Sequence, residues 1–247
     1  MKLIQGVAAV ALLAAGTAAH AEVTGTITGV TDYDWRGVTQ SAQGPALQGS
    51  LDYAHDSGFY AGVWASNVDF GAGDPNVEID LYAGFGGGET FVWDVGAVYY
   101  TYPGESSFNF PELYASLGWE WLEGKISYTY DFGGSDDTAF YYEANVTYPL
   151  PANFGFTGHI GYSDGDGIES VYGVDNYMDW SVGLTYEISH FTLALKWVDG
   201  EDNDCCLNTK DDISSTEARA IFSISTTFPW SSDEAEGVEM ESKAAEQ

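Results

Sequence analysis

The sequence predicts an all-β fold, an antiparallel up-and-down transmembrane β-barrel of about twelve strands. Three observations lead to this prediction: segments of about ten residues alternate apolar and polar side chains, the links between them alternate short and long, and aromatic side chains gather near segment ends. About ten residues is the length that a tilted strand needs to cross a bilayer. Short periplasmic turns and longer external loops are typical of outer-membrane barrels.

The clearest unit of the pattern is the stretch 76–102, which predicts two strands joined by a triple-glycine turn. In its first arm, Val77 and Leu81 alternate with Glu78 and Asp80. Because successive strand side chains point to opposite faces, each arm has one apolar face and one polar face. Alternation alone does not decide which face meets solvent, since a soluble β-sandwich alternates with its apolar face inward. The alternating link lengths and aromatic belts of the whole chain favour the membrane barrel.

The two ends of the chain differ from this central pattern. Residues 1–21 hold an early lysine, a short apolar run and an Ala-His-Ala motif, which together predict a secretory signal peptide cut before Glu22. An uncleaved anchor is disfavoured because the run is short and ends in small residues. Residues 231–247 hold six carboxylates without strand periodicity, which predicts a disordered, acidic periplasmic tail. The barrel is therefore expected over 22–230. No long apolar helix follows the leader, so insertion in a membrane is expected as a closed barrel.

The composition is acidic and aromatic. Asp and Glu outnumber Lys and Arg by 38 to 7, which gives a formal net charge of −31. This charge argues against a nucleic-acid partner and suits cations, although it also fits simple solubility of a secreted protein. Aromatic residues make up 15% of the chain, which favours strands and membrane-interface girdles over helices.

Several short motifs carry a resemblance to a known family. The motifs YDWRGVTQS at 33–41, DYAHDSGFYAGVWASNVDF at 52–70, EIDLYAGF at 78–85 and NFPELY at 109–114 resemble the TorF family of porins. The resemblance spans roughly the whole mature chain and is densest over 30–120. It implies an outer-membrane barrel in a Gram-negative bacterium, and it implies location and fold more firmly than a substrate.

Two predicted boundaries affect the inner face. The first strand is predicted over 23–36, with a loop at 37–44 after it. A later hairpin is predicted with its first strand over 110–121 and a tight turn at 122–124.

If the apolar faces meet lipid, the opposite faces line a lumen. The predicted pore-lining residues are Asp32, Asp34, Arg36, Asp52, Glu78, Asp80, Asp94, Glu112, Glu120, Lys125, Asp131, Glu143, His159, Asp179, Lys196 and Arg219. Four bases cannot pair eleven acids one to one, so a hydrated lumen is the simpler account. The sequence thus predicts a porin-like channel for passive diffusion of small solutes, with cations favoured. The alternative is a static network that closes the lumen, which would leave a structural or surface-binding barrel without transport.

Other motifs carry weaker signals. The vicinal pair Cys205-Cys206 can bond only through a strained ring and has too few soft partners for a metal, so a plain loop role is favoured. Acidic loop clusters at 164–169 and 202–212 lack EF-hand spacing and are expected to be solvated, with the bridging of divalent ions as the alternative. His159 has no nucleophile at triad spacing, so no enzyme, cofactor or metal site is predicted, and a lipid hydrolase is only a distant third reading.

The expected partners follow from the barrel prediction. They are outer-membrane lipid and lipopolysaccharide, small solutes or cations in the lumen, and the barrel-assembly machinery. The oligomeric state stays open, because a trimer interface and a lipid-facing surface are both apolar.

Overall fold

A computed structural model describes residues 21–71, 75–201 and 213–230 of the chain. The expected signal peptide up to residue 20, the cysteine pair, the acidic cluster at 202–212 and the acidic tail lie outside the described residues.

Twelve antiparallel strands close into a single barrel. The barrel strands and the two short strands β2 and β3 are β1 (Ala21–Val30), β2 (Asp34–Trp35), β3 (Val38–Thr39), β4 (Ala46–His55), β5 (Phe59–Asn67), β6 (Val77–Gly87), β7 (Phe91–Thr101), β8 (Phe110–Trp119), β9 (Leu122–Thr129), β10 (Ala139–Pro149), β11 (Phe154–Asp164), β12 (Asn176–Ile188), β13 (Phe191–Gly200) and β14 (Arg219–Phe228). Barrel strands that follow one another along the chain are hydrogen-bonded neighbours, and β1 pairs with β14 to close the ring. The predicted fold class is confirmed.

The outer wall of the barrel is apolar because the alternating sequence pattern turns every second side chain outward. Leu47, Leu113 and Leu195 expose 66%, 58% and 56% of their surface, while Glu78 and Asp80 on the opposite face are buried. In water, a continuous belt of exposed leucine, valine and aromatic side chains would be unfavourable. Such a belt suits contact with lipid hydrocarbon, as in transmembrane barrels.

The connections differ in length at the two ends of the barrel. One end, here called the short-turn end, carries the links at 56–58, 88–90, 120–121, 150–153 and 189–190. The other, the long-connection end, carries the links at 31–45, 68–76, 102–109, 130–138, 165–175 and 201–218. At the short-turn end, Gly88 has φ 105°, and a Cβ there would lie 2.0 Å from the Phe91 carbonyl oxygen, so only glycine fits.

The long connections contain the only helical pieces among the described residues. Helix α1 spans Asp166–Tyr172, and two 3₁₀ turns span Ser106–Phe108 and Phe132–Gly134. The sequence pattern predicted plain loops there, because a seven-residue helix gives too short a signal to read. Among the described residues, no helix is long and apolar enough to cross a membrane.

An apolar core lies inside the barrel at the long-connection end. Its buried members come from seven strands or connections and from helix α1: Val38, Tyr100, Tyr102, Phe110, Phe132, Ala139, Ile168 and Tyr177. The Tyr100 and Phe110 rings stack with centroids 4.6 Å apart, and Trp35 stacks on Phe132 at 6.0 Å. The long connections therefore fold back into their own mouth of the barrel and narrow it.

Three predicted strand boundaries were wrong. The strand predicted over 125–132 is β9, which ends at Thr129, before Asp131. Strand β1 ends at Val30, and residues 31–45 turn into the barrel instead of continuing the wall to residue 36. The predicted turn at 122–124 in fact begins β9, because the chain already reverses at 120–121. Alternation is a weak guide at strand ends, where a polar or aromatic residue fits wall and connection equally well.

Candidate functional site in the barrel lumen

Most of the predicted pore-lining residues lie on barrel strands, on the face opposite the exposed apolar belt. These are Asp52, Glu78, Asp80, Asp94, Glu112, Lys125, Glu143, His159, Asp179, Lys196 and Arg219. The positions follow from strand periodicity, which places residues two apart on the same face. The lumen of the barrel is therefore the candidate functional site.

The remaining five predicted residues lie elsewhere. Asp32, Asp34 and Arg36 lie on the connection 31–45 inside the barrel mouth and not on a wall strand. Glu120 lies exposed in the β8–β9 turn with φ 53°, and Asp131 lies in the connection after β9, where its Oδ1 accepts the Asp136 N–H at 2.8 Å. In each case the strand ends before the residue that alternation assigned to it.

Residues 31–45, here called the inner segment, cross the lumen at the long-connection end. A Cβ on Gly37 would lie 2.5 Å from the Asp179 Cβ on β12, so the segment touches that wall. Strands β2 and β3 form a small hairpin at its centre, with Arg36 (φ 54°) and Gly37 (φ 80°) in the two-residue turn. Positive φ at both turn residues is what a tight hairpin requires, and it is unusual for arginine.

Arg36 fastens the tip of the inner segment to the barrel wall. Its Nη2 donates to both carboxylate oxygens of Glu112, at 2.8 and 2.7 Å. The guanidinium also lies 4.3 Å from the ring centres of Trp35 and Tyr141. A buried arginine that is both ion-paired and stacked on aromatic faces is well satisfied, which suits it to hold a fixed position.

The base of the inner segment is fastened to the opposite wall. Arg219 on β14 donates to Asp32, and its Nη2 reaches Asp34 Oδ1 at 2.9 Å. Lys196 on β13 lies 3.2 Å from the other Asp34 oxygen. Three of the four lumen bases therefore hold the inner segment in place. The fourth, Lys125, pairs with Glu143 at 3.4 Å.

Tyrosines bonded to carboxylates line the wall between β4 and β8. Tyr60 donates to Asp94 at 2.7 Å, Tyr60 and Tyr114 hydroxyls are 2.5 Å apart, and Tyr82 donates to Asp52. These tyrosines are lumen residues beyond those predicted from the sequence. The sequence does contain a signal for them, because residues two apart on a strand share a face and Tyr82, for example, lies two residues after Asp80.

His159 belongs to a second polar network on the other side of the lumen. Its Nδ1 lies 2.7 Å from Asn145 Oδ1, and its Nε2 lies 2.8 Å from Asp179 Oδ1 and 2.9 Å from the Tyr141 hydroxyl. The amide of Asn145 donates onward to Glu143 at 3.0 Å. These contacts orient the imidazole between a carboxylate and an amide.

Strand β9 adds a lumen carboxylate, Glu123, beyond those predicted from the sequence. Glu123 shares the inward parity of Lys125 and lies opposite Asn145 in the register with β10. It was assigned to a turn because a Leu-Glu-Gly sequence reads as a reversal when the preceding strand is drawn too long.

Burial also changes the pKa of a side chain in the long connections, Tyr172 of helix α1. Burial raises the pKa of the Tyr172 phenol of helix α1 well above its ordinary value, with negative charge from Glu78 adding to the effect. The Tyr172 phenol therefore stays in its neutral form.

The fold is similar to solved outer-membrane porins. The NanC porin aligns with a TM-score of 0.54 at 12% identity, over 83% of this chain and 99% of that chain. The KdgM porin in complex with disordered oligogalacturonate aligns with a TM-score of 0.54 at 9% identity, over 84% of this chain and 100% of that chain. At these identities the likeness concerns the fold alone. A search of curated proteins finds no match.

The closed twelve-stranded ring with its apolar outer wall and polar lumen is a porin-like β-barrel. Residues 14–228 match the model of a family described as "Bacterial protein of unknown function (Gcw_chp)", and the chain belongs to that family.

Proposed function

We propose that this protein is an outer-membrane channel for passive diffusion of small solutes, with a preference for cations. The observation that carries the proposal is the excess of carboxylates on the inward face. Six of the lumen carboxylates named above have no Lys or Arg ion pair among the described residues: Asp52, Glu78, Asp80, Asp94, Glu123 and Asp179. A negative wall concentrates cations and repels anions.

The inner segment is the constriction in this proposal. It crosses the lumen and contacts β8, β12 and β14, so a solute has to pass between it and the remaining wall. The side chains of Lys125, Glu143 and His159, farther toward the short-turn end, keep 31%, 14% and 21% of their surface exposed. This partial exposure supports a hydrated vestibule below the constriction.

The charge of the lumen favours a different solute class from that in the KdgM complex. Oligogalacturonate, named with that porin, is a chain of acidic sugars and therefore an anion. In this chain the described lumen bases are each engaged by a carboxylate, which leaves no free basic side chain to attract an anionic polymer. We therefore assign cationic and neutral small solutes to it.

The cellular setting of the proposal follows the barrel architecture. The chain would be exported by its N-terminal leader and inserted by the barrel-assembly machinery, with short turns in the periplasm and long connections in contact with lipopolysaccharide. The proposal also includes that the protein is related to the TorF porins and that it is a channel and not an enzyme.

Single-channel recording tests the proposed function. The refolded mature protein in a planar bilayer under a KCl gradient is expected to give discrete steps and a cation-selective reversal potential. The double variant Asp52→Asn/Asp94→Asn should reduce the selectivity, because it removes two of the uncompensated lumen charges. Asp166→Asn is a control with the same type of charge change outside the barrel wall, because Asp166 is an exposed residue at the start of helix α1. Steps without ion preference would overturn the cation assignment.

One observation favours a second candidate, a closed barrel with a structural or surface-binding role. The inner segment is fastened by ion pairs at its hairpin tip and at its base, and apolar side chains pack around it. A folded, inserted protein that gives no steps would favour this candidate over the channel. Steps that appear only in an Arg36→Ala variant would assign the closure to the inner segment.

A further inference from the structure

Two buried carboxylates in the lumen have no compensating charge. Glu78 and Asp80 lie two residues apart on the inward face of β6 and expose only 3% and 7% of their surface. Among the described residues, Glu78 Oε2 and Asp80 Oδ1 lack any hydrogen-bond partner. Unpaired charge in a dry interior is strongly unfavourable, so such a pair calls for a cation or a shared proton.

The neighbouring groups do not supply that cation. Arg36, the basic residue at the tip of the inner segment, already donates to both carboxylate oxygens of Glu112. The Tyr102 hydroxyl donates to Glu78 Oε1 at 3.0 Å, which fixes the carboxylate and leaves Oε2 open. Burial and the negative charges of Glu78 and Asp80 raise the pKa of the nearby Tyr33 phenol well above its ordinary value, so Tyr33 stays neutral.

We infer that Glu78 and Asp80 form a binding site for one divalent cation of the hard, oxygen-seeking class, such as Ca²⁺ or Mg²⁺. Two carboxylates match the charge of one such ion, and oxygen is the ligand atom that these ions prefer. No three acidic, His or Cys side chains converge as a complete metal site among the described residues. The remaining ligands are therefore water or uncharged oxygens, as is common for Mg²⁺ held by one or two carboxylates.

The bound ion would have a structural consequence in the barrel mouth. The two carboxylates lie near Tyr33 of the inner segment. Glu78 also accepts a hydrogen bond from Tyr102, which is a member of the apolar core. Neutralising the pair removes repulsion between two adjacent buried charges at this point. Cation binding at Glu78 and Asp80 does not require transport, so the site is expected whether or not the lumen conducts.

Calcium and magnesium titration of the refolded full barrel in detergent tests the inference. After treatment with a chelator and dialysis, isothermal titration with CaCl₂ and MgCl₂ in moderate salt is expected to reveal one saturable site. The variant Glu78→Gln/Asp80→Asn should lose that site while keeping the weaker, unsaturated binding of the exposed acidic groups. Asp52→Asn is the matched control, because its carboxylate is bonded to Tyr82 and should leave the site intact.

A second measurement keeps the test decisive if the double variant does not fold. Trp64 lies directly opposite Asp80 in the β5–β6 register, close enough to sensitise a bound lanthanide. Tb³⁺ added to the wild-type barrel should show luminescence excited through tryptophan, and Ca²⁺ should displace it. Trp64→Phe should lower that signal, whereas Trp197→Phe on the outer wall should not.

Two outcomes would contradict a divalent-cation site at Glu78 and Asp80. Absence of a saturable site in the wild type, or an unchanged site in the double variant, would overturn the inference. A carboxylic-acid carbonyl band in the infrared spectrum near neutral pH, lost in the double variant, would then assign a shared proton to the pair. Channel recordings on the same preparation report the proposed function separately, so the two can fail independently.

Discussion

Inward glycines decide how the tyrosine rings lie in the lumen. A Cβ on Gly84 would come 2.3 Å from the Tyr60 hydroxyl, and one on Gly62 would come 2.5 Å from the Tyr82 hydroxyl. Each glycine stands directly across the β5–β6 register from the tyrosine that covers it. The ring can lie flat along the wall only where the opposite residue has no side chain, and this keeps the hydroxyl near its carboxylate.

The variant Gly62→Ala tests this packing. We expect a loss of about 1–3 kcal/mol in the free energy of unfolding, because the nearest neighbours of the new methyl group are all atoms of the Tyr82 side chain, which it displaces from Asp52. Denaturant-induced unfolding in detergent micelles, followed by tryptophan fluorescence, measures the change.

The matched control is Gly124→Ala on β9. A Cβ there meets nothing closer than the Glu143 carbonyl oxygen at 4.0 Å, so the substitution should change stability by less than about 0.5 kcal/mol. Equal destabilisation by both alanines would show that strand glycines matter through the backbone alone, against the ring-packing account.

The inner segment shows how one element is held by partners far away in the sequence. Arg36 and its partner Glu112 are 76 residues apart, and Arg219 and Asp32 are 187 residues apart. The Arg36 and Glu112 side chains expose only 9% and 3% of their surface, so solvent screens this pair weakly. Removal of one partner leaves the other as an uncompensated buried charge.

At this scale, Arg36→Ala is expected to undock the inner segment while the barrel stays folded. Loss of a buried pair costs about 3 kcal/mol, which corresponds to roughly 100-fold faster amide hydrogen exchange in the segment. Peptide-resolved exchange should show this acceleration over 31–45 and unchanged protection in β9 and β10.

Two variants complete that experiment. Lys125→Ala breaks a more exposed pair away from the segment and should leave exchange over 31–45 unchanged. Adding Glu112→Gln to Arg36→Ala removes the stranded charge and should restore part of the protection. Slow exchange in the single variant would mean that apolar packing, and not the ion pair, holds the segment.

At the scale of the whole molecule, the acidic charge acts as a field over the lumen. The carboxylates without basic partners lie on several strands around the barrel, so their potentials add where the lumen is narrow. Mobile ions screen such a field over about 10 Å at 0.1 M salt and about 3 Å at 1 M.

The cation selectivity is therefore expected to fall as salt concentration rises. Reversal potentials measured at a fixed KCl ratio, once around 0.1 M and once around 1 M, should move toward zero at high salt. The Asp52→Asn/Asp94→Asn variant should show a smaller dependence because it has less charge to screen. Selectivity that ignores ionic strength would point to a local binding site in the constriction, in place of a diffuse field.

Several features of this protein follow from local sequence alone. Val77, Leu81 and Phe85 alternate with Glu78, Asp80 and Tyr82, and period-two alternation is a property of the extended backbone, so the outward and inward sets were predictable. The pairing of strands joined by short turns was predictable as well, because a short turn obliges the two strands that it joins to pair. The number of strands and the closure of the ring agree with the twelve-stranded barrel that the strand and link lengths predicted.

Only the tertiary structure decided what fills the barrel mouth. The polar residues Asp32, Asp34 and Arg36 continue the alternation of β1, and nothing local separates a longer strand from a segment that turns inward. The difference lies in Glu112, Lys196 and Arg219, which reach these residues only after the ring has closed. Local periodicity fixes which side of a strand a residue faces, whereas the pairing of buried charges depends on distances that exist only in the closed barrel.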